Sequence, residues 1–321
     1  MLKRFVFVRE ERPGQPWLAR FIAGRGEAER WYLGDGSEPP PTSPECRNAL
    51  RQHMPELMPH YEHVRALVGA DDLAHCILSH YRPPPIVPGC TQAVWLGDEG
   101  PALIRNYDFP LEIVSDHFES TAWSGREVIA KAQRPWGGCL DGMNDDGLVV
   151  SLTFGGTRAR GRGFSAILIL RYVLETCRQV DQAVAALSRI PIAMAHNVTV
   201  LDRSGAYATL FLGPNRAPVI SQAQACANHQ EGPGTVPDSV ERQSLTLRAL
   251  DDDATTLSSL TALFLAPPLY SRRAKSPTAY SAVYRPAEKR VDYIWPGHRV
   301  EQRIGKFEEG EYTHDYGVLA P

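Results

Sequence analysis

The chain has 321 residues, 43% hydrophobic and 22% charged, a size for one large or two medium domains at about 150 residues each and an ordinary globular composition. That composition excludes a mostly disordered chain, a collagen-like repeat and a coiled coil. Lysine plus arginine total 34 against 37 for aspartate plus glutamate, a net charge of -3, so no charge excess demands a nucleic acid or an anionic membrane as partner.

No apolar run approaches the roughly 18 residues of a membrane span; the candidate at 166–170 is broken at once by Arg171. The basic N-terminus carries an apolar stretch too short for a signal peptide. Residues 1–43 read as short strands and loops, closed by Pro39-Pro40-Pro41. From 44 to 80 the pattern turns helical. Ala49, Leu50, Met54, Leu57, Met58 and Tyr61 recur near three- and four-residue spacing, and Gly69 with Asp71-Asp72 predicts a break and a new N-cap. A second proline-rich stretch, Pro83-Pro84-Pro85 and Pro88, ends this region.

Short apolar runs at 91–96 and 102–107 then flank Gly97-Asp98-Glu99-Gly100, the signal of a hairpin. Further hairpins are predicted around Asn144-Asp145-Asp146-Gly147, around Asp202-Arg203-Ser204-Gly205 and over 278–295. Between the second and third, residues 164–177 and 182–187 read as helices, the latter capped by Asp181. Residues 239–250 and 255–265 predict two more. Strands, then helices, then strands favour a layered α+β architecture with antiparallel sheets over a doubly wound parallel one.

The six cysteines, Cys46, Cys76, Cys90, Cys139, Cys177 and Cys226, form no CxxC pair. A disulfide framework is not expected, and a reducing cytoplasm is the expected location. Cys90 starts the first strand of the first hairpin, and Arg105-Asn106-Tyr107-Asp108 ends the second. Antiparallel pairing sets the start of one strand beside the end of the next, so Cys90, Arg105 and Asp108 are expected to meet. An arginine beside a thiol drives it toward thiolate, and Arg105 and Asp108 are positioned to fix each other by a charge-assisted bond. Gly89 offers an attacking sulfur little obstruction, and Pro85 and Pro88 stiffen the approach.

A lone cysteine at a strand start is ordinarily a small buried hydrophobe; the arginine and aspartate downstream make this one a candidate nucleophile. Other features point to less. His60 and His63 suit one helix face, but no further ligand follows at zinc spacing, so no metal and no cofactor are expected. Arg158, Arg160 and Arg162 read as a solvated basic loop, and Asn144 as a turn former. Gly163-Phe164-Ser165-Ala166-Ile167 lacks the second glycine of a nucleophile elbow.

Several segments in order resemble the N-terminal-nucleophile cysteine hydrolases. The resemblance is strongest to the penicillin acyltransferase-like, autoproteolytic acyltransferases and hydrolases, with choloylglycine hydrolases more distant. Gly89-Cys90-Thr91 resembles the self-cleavage junction and Arg105-Asn106-Tyr107-Asp108 the Arg-Asn-x-Asp run. Asp141-Gly142-Met143-Asn144-Asp145-Asp146-Gly147-Leu148 resembles the Gly-Met-Asn-x-x-Gly-Leu hairpin, Ala227-Asn228-His229 the segment holding an active-site asparagine, and Ser239-Val240-Glu241-Arg242 a Ser-x-x-Arg helix start.

The resemblance implies a four-layer αββα sandwich made as a precursor. Cys90 cuts the Gly89–Cys90 bond, leaving an N-terminal segment 1–89 and a core 90–321 that stay associated. It also implies roles. Cys90 supplies both the nucleophilic thiol and, through its new α-amino group, the general base. Asn228 donates to the oxyanion, Asp108 holds the α-amino group, Arg105 tunes the thiol, and Arg242 supports the site. The implied reaction cleaves or transfers the acyl group of a linear amide, a small acylated amine, through a Cys90 thioester. Nucleic acid and membrane are not expected partners, and a homodimer is the assembly considered. One position departs: where relatives carry a second asparagine after the Gly-Leu hairpin, this chain has Thr153, whose hydroxyl is the candidate second oxyanion or substrate contact. Two rival readings stay open, an unprocessed, non-catalytic small-molecule-binding protein that keeps the fold, and a thiol enzyme working through Cys139 or Cys226.

Overall fold

Frequent glycines and prolines cut the chain into short elements. The computed structural model describes all residues except 35–37, 86, 88, 135, 231–236 and 321; the expectation for Pro88 lies outside the described residues. In chain order the elements begin with β1 (Leu2–Arg9), α1 (Gln15–Leu33), α2 (Ser43–His53), α3 (Met58–Val68) and α4 (Asp72–Ser79). There follow β2 (Gly89–Trp95), β3 (Ala102–Asp108), β4 (His117–Thr121), β5 (Val128–Gln133), β6 (Gly138–Asn144), β7 (Val149–Phe154), α5 (Ala166–Thr176) and α6 (Val180–Arg189). The rest is β8 (His196–Leu201), β9 (Tyr207–Leu212), β10 (Val219–Ser221), β11 (Ala225–Cys226), α7 (Pro237–Leu250), α8 (Leu257–Phe264), β12 (Thr278–Arg285), β13 (Arg290–Trp295), β14 (His298–Arg303) and β15 (Gly310–Asp315).

The strands form a nine-stranded sheet in the order β10-β9-β8-β7-β6-β5-β4-β1-β15 and a six-stranded sheet in the order β11-β2-β3-β12-β13-β14. All pairings are antiparallel except β1 with β4. The sheets stack with β2 against β7; α5 and α6 cover the outer face of the larger sheet and α7 and α8 that of the smaller. This is the expected α+β, four-layer αββα sandwich. Strands clamped between two layers are buried on both faces, which is why β2, β3, β5, β6, β7 and β8 read as almost unbroken buried runs. No helix among the described residues is long and apolar enough to cross a membrane.

All four expected hairpins form, and Asp71 caps α4 by accepting from the Ala74 N–H. Residues 1–43 are the exception, since they hold one strand and a helix of 19 residues. Gly24 and Gly26 break the helical pattern in the sequence, yet α1 buries Trp17, Phe21, Ala28 and Tyr32 along one side. Gly24 is there for space: a Cβ would come within 2.5 Å of the Trp136 ring. Asp181 lies in the first turn of α6, and Gln179 occupies its N-cap.

Candidate active site

β2 and β3 pair with Gly89 opposite Asp108, Cys90 opposite Tyr107 and Gln92 opposite Arg105. Opposed residues share a face and successive residues alternate. Cys90, Arg105 and Tyr107 therefore project between the sheets, and Thr91, Asn106 and Asp108 toward the α7–α8 layer. Asn106 accordingly donates to the carbonyls of Phe264 (2.7 Å) and Leu269 (2.9 Å). The expected bond between Arg105 and Asp108 does not form, for the same reason: three apart on a strand, they lie on opposite faces.

Arg105 turns instead to the facing sheet. Its Nη1 donates to Asp141 Oδ2 at 2.8 Å and to the Leu140 carbonyl at 3.1 Å, and its Nη2 donates to Cys90 Sγ at 3.2 Å. Asp141 also accepts from the hydroxyls of Tyr280 and Tyr284. Arg105 and Asp141 are both fully buried. Burial works against the guanidinium charge, but Tyr280, Asp141 and Cys90 outweigh it and hold Arg105 firmly protonated. The thiol behaves otherwise than the sequence suggests. Burial pushes Cys90 up to about 12 despite the opposing pull of Arg105. In the uncut chain the sulfur is a hydrogen-bonded thiol at neutral pH.

On the other side of the strand, the Cys90 backbone N–H donates to Asn228 Oδ1 at 2.8 Å. Arg242, on α7, donates to the Cys90 carbonyl at 2.7 Å, to Asn228 Oδ1 at 2.9 Å and to the Thr91 hydroxyl. One turn earlier on α7, the Ser239 hydroxyl accepts the Asn228 backbone N–H at 2.6 Å and bonds His229 Nδ1 at 2.8 Å. The start of α7 thus holds both Asn228 and the first residues of β2. Asp108 Oδ1 accepts from Thr278 at 2.6 Å. Burial raises the Asp108 carboxyl, with Arg242 acting in the opposite direction. Gly89 fits tightly: a Cβ would lie 3.0 Å from Asp108 Cβ and 3.4 Å from its carbonyl oxygen.

Cys90, Arg105, Asn228 and Arg242 therefore form one bonded group, with Asp108 adjoining it. Thr153 stands beside Cys226 at 3.9 Å and spends its proton on the Ala227 carbonyl at 2.6 Å, so its contact with the site runs through the strand that leads to Asn228. Asp141 and Thr278 are the partners sequence reading misses; Asp141 lies inside a quoted motif, and a carboxylate in a strand buried on both faces is the signal that marks it. Cys139 and Cys226 are buried, and burial pushes the first up to about 12 and the second above the usual thiol value. His60 stacks on Trp123 and His63 bonds the Pro13 carbonyl. Among the described residues no group of three or more His, Cys, Asp or Glu is arranged to hold a metal ion.

A cleft of about 540 Å³ opens beside this group, lined by Val87, Gly89, Asp108, Asn228, Arg242 and Tyr270 among others. Cys90 itself is fully covered.

A family model described as acyl-coenzyme A:6-aminopenicillanic acid acyl-transferase matches residues 95–299, more than half of the chain, beginning just past Cys90. Among solved structures, a mutant conjugated bile acid hydrolase from Clostridium perfringens superposes with a TM-score of 0.50 at 11% identity, covering 73% of this chain and 99% of that one. Penicillin V acylase from Agrobacterium tumefaciens gives 0.41 at 16% identity, with 68% and 87% covered. A Caenorhabditis elegans N-acylethanolamine-hydrolyzing acid amidase ortholog gives 0.44 at 15% identity, with 62% and 93% covered. No curated protein matches.

Proposed function

Because this chain belongs to the acyl-coenzyme A:6-aminopenicillanic acid acyl-transferase family and has the N-terminal-nucleophile hydrolase fold, and so is an enzyme of amide hydrolysis or acyl transfer, we propose that Cys90 is its nucleophile and that the chain activates itself by cutting Gly89–Cys90. The observation that carries this reading is the double hold on one residue: Arg105 Nη2 on the sulfur at 3.2 Å and Asn228 Oδ1 on the backbone nitrogen at 2.8 Å.

In the activation step the sulfur attacks the Gly89 carbonyl and the amide nitrogen departs as an amine. Water then hydrolyses the resulting thioester, leaving a carboxylate on Gly89 and restoring the Cys90 thiol. The new α-amino group has an ordinary pKa of about 7.7–8.0, so at neutral pH it exchanges protons with the thiol beside it. In turnover it takes the thiol proton while the sulfur adds to a substrate amide carbonyl. The Asn228 side-chain amide donates to the developing oxyanion, a contribution of about 2.7–4 kcal/mol for one such donor. The α-ammonium protonates the leaving amine, and water or a second amine resolves the thioester.

Arg105 stabilises the thiolate, Asp108 holds the α-ammonium, and Arg242 keeps Asn228 and the Cys90 carbonyl in register. The substrate in this reading is a linear amide of a small acylated amine. The location proposed is the cytoplasm, supported by six buried cysteines, all free thiols.

Intact mass spectrometry tests the central step. Wild type is expected to yield a fragment beginning at Cys90, and Cys90→Ala to remain one chain. An uncut wild type that still hydrolyses amides would overturn the activation scheme.

A further inference from the structure

Four of the six cysteines are accounted for by what surrounds them. Cys90 belongs to the site above, Cys226 accepts from the Gln92 side chain at 3.3 Å, and Cys139 and Cys177 pack in the main core. Cys46 and Cys76 differ. They sit on separate helices, α2 and α4, and meet in a small cluster with Ala28, Tyr32 and Ile77. Their sulfurs lie within hydrogen-bonding reach of each other, and the Cys76 thiol also donates to the Pro41 carbonyl at 3.2 Å. Cys46 is fully covered and Cys76 is 4% exposed.

The contact makes the two thiols unequal. The bond from Cys76 holds Cys46 below the usual thiol range, against the opposing effect of burial. The same contact, together with burial, pushes Cys76 well above that range. The other four thiols are all raised, chiefly by burial. A thiolate is the form that attacks an oxidant, and a neighbouring thiol resolves the sulfenic acid that results.

We propose that Cys46 and Cys76 are a reversible dithiol–disulfide site for a hydroperoxide, with Cys46 the attacking sulfur and Cys76 the resolving one. The Cys46 thiolate attacks one peroxide oxygen, the O–O bond breaks, and the second oxygen leaves as water after taking a proton. The Cys76 sulfur then attacks the Cys46 sulfenic acid, its proton leaving with the displaced hydroxyl as a second water. With hydrogen peroxide, two thiols and one peroxide become one disulfide and two waters; both sulfurs are oxidised and the peroxide oxygens reduced. Thiol–disulfide exchange with a reducing thiol reverses the bond. The pair lies under Pro41, itself buried, with Thr42 exposed beside it, a cover that favours a small neutral oxidant over a bulky disulfide. The new bond joins α2 to α4 around α3 and so constrains the unfolded state of the N-terminal segment. It does not depend on the reaction proposed for Cys90.

The test uses the full wild-type chain, first reduced and then exposed to hydrogen peroxide. Remaining thiols are alkylated under denaturing conditions, and the chain is digested without reductant for mass spectrometry. The expected product is a peptide pair linked through Cys46 and Cys76, lighter by two hydrogens than the reduced peptides together and returned to free thiols by dithiothreitol. Cys139, Cys177 and Cys226 are expected to remain alkylated. Oxidation should raise the urea midpoint of wild type and leave that of Cys46→Ser or Cys76→Ser where it was. In Cys76→Ser the sulfenic acid on Cys46 persists and is trapped by dimedone, whereas in Cys46→Ser the remaining Cys76 stays a thiol. A peptide map of oxidised wild type without the Cys46–Cys76 link overturns the proposal, and that result needs no variant to fold. A link that forms only after unfolding in urea overturns it as well, and dimedone on Cys76 in place of Cys46 overturns the assignment of roles.

Discussion

Arg105 is a fully buried cation whose one guanidinium spans two partners, Asp141 on one side and the Cys90 sulfur on the other. A buried pair of this kind adds little over a well-packed apolar pair, but removing one member leaves the other charge stranded, at about 3–5 kcal/mol. Asp141→Asn keeps the shape and deletes the charge that faces Arg105, and it also weakens the acceptor for Tyr280 and Tyr284. We expect it to lower the free energy of urea unfolding by about 3–5 kcal/mol and to slow appearance of the Cys90 fragment; an unchanged denaturation midpoint would show that Arg105 is anchored elsewhere. The sequence made Cys90, Arg105, Asp108, Asn228 and Arg242 legible through their motifs. It did not make their pairing legible: strand alternation separates Arg105 from Asp108, and the partner each takes comes from a distant element, Asp141 on β6 or Thr278 on β12.

Hairpins were the most legible elements, because a four-residue polar turn between apolar runs needs no tertiary information. Helix α1 and the strands β1, β4, β5, β14 and β15 were not. Gly24 looks like a helix breaker until Trp136 packs on it, and β14 and β15 are mostly exposed edge strands with little apolar pattern. Two element ends also carry buried histidines. His80 follows α4 in the left-handed region at φ 54, and His196 opens β8; they are 1% and 7% exposed. Burial lowers both to about 4, against about 6.5 in the unfolded chain. Each ring is therefore neutral in the fold while the unfolded state takes up a proton first. The stability this represents is present above pH ~6.5 and is lost as pH falls through ~4, on the order of 2–3 kcal/mol per ring. Urea midpoints should fall steeply between pH 7 and pH 4.5. His80→Asn suits the left-handed backbone and should reduce that fall by roughly a third, the rest coming from His196 and from His60, which burial lowers to about 3; an identical pH slope in the variant would count against His80.

For the whole molecule, the question posed by the proposed self-cleavage is whether residues 1–89 would remain with the rest. The architecture argues that they would. β1 is not an appendage: it sits inside the nine-stranded sheet, parallel to β4 on one side and antiparallel to β15 on the other. Phe5 and Phe7 point from it into the core, against Phe118, Trp295 and Tyr293, and burying two such side chains is worth roughly 1.5–3 kcal/mol each. Withdrawing β1 also leaves two strand edges without ladder partners, a state native proteins avoid. The segment from α1 to α4 adds a second attachment, through contacts such as Phe21 of α1 on Trp136 and the Tyr172 hydroxyl on Glu56 in the turn between α2 and α3. Cutting at Gly89 therefore frees one chain end without freeing a domain. After complete processing the two pieces should co-elute as a single particle in size-exclusion chromatography and come apart only in a single cooperative unfolding transition. A version lacking residues 1–9 should be insoluble even though it retains every proposed catalytic group. If the 89-residue piece washes away under native conditions and leaves a folded core, β1 cannot be the structural strand its place in the sheet makes it.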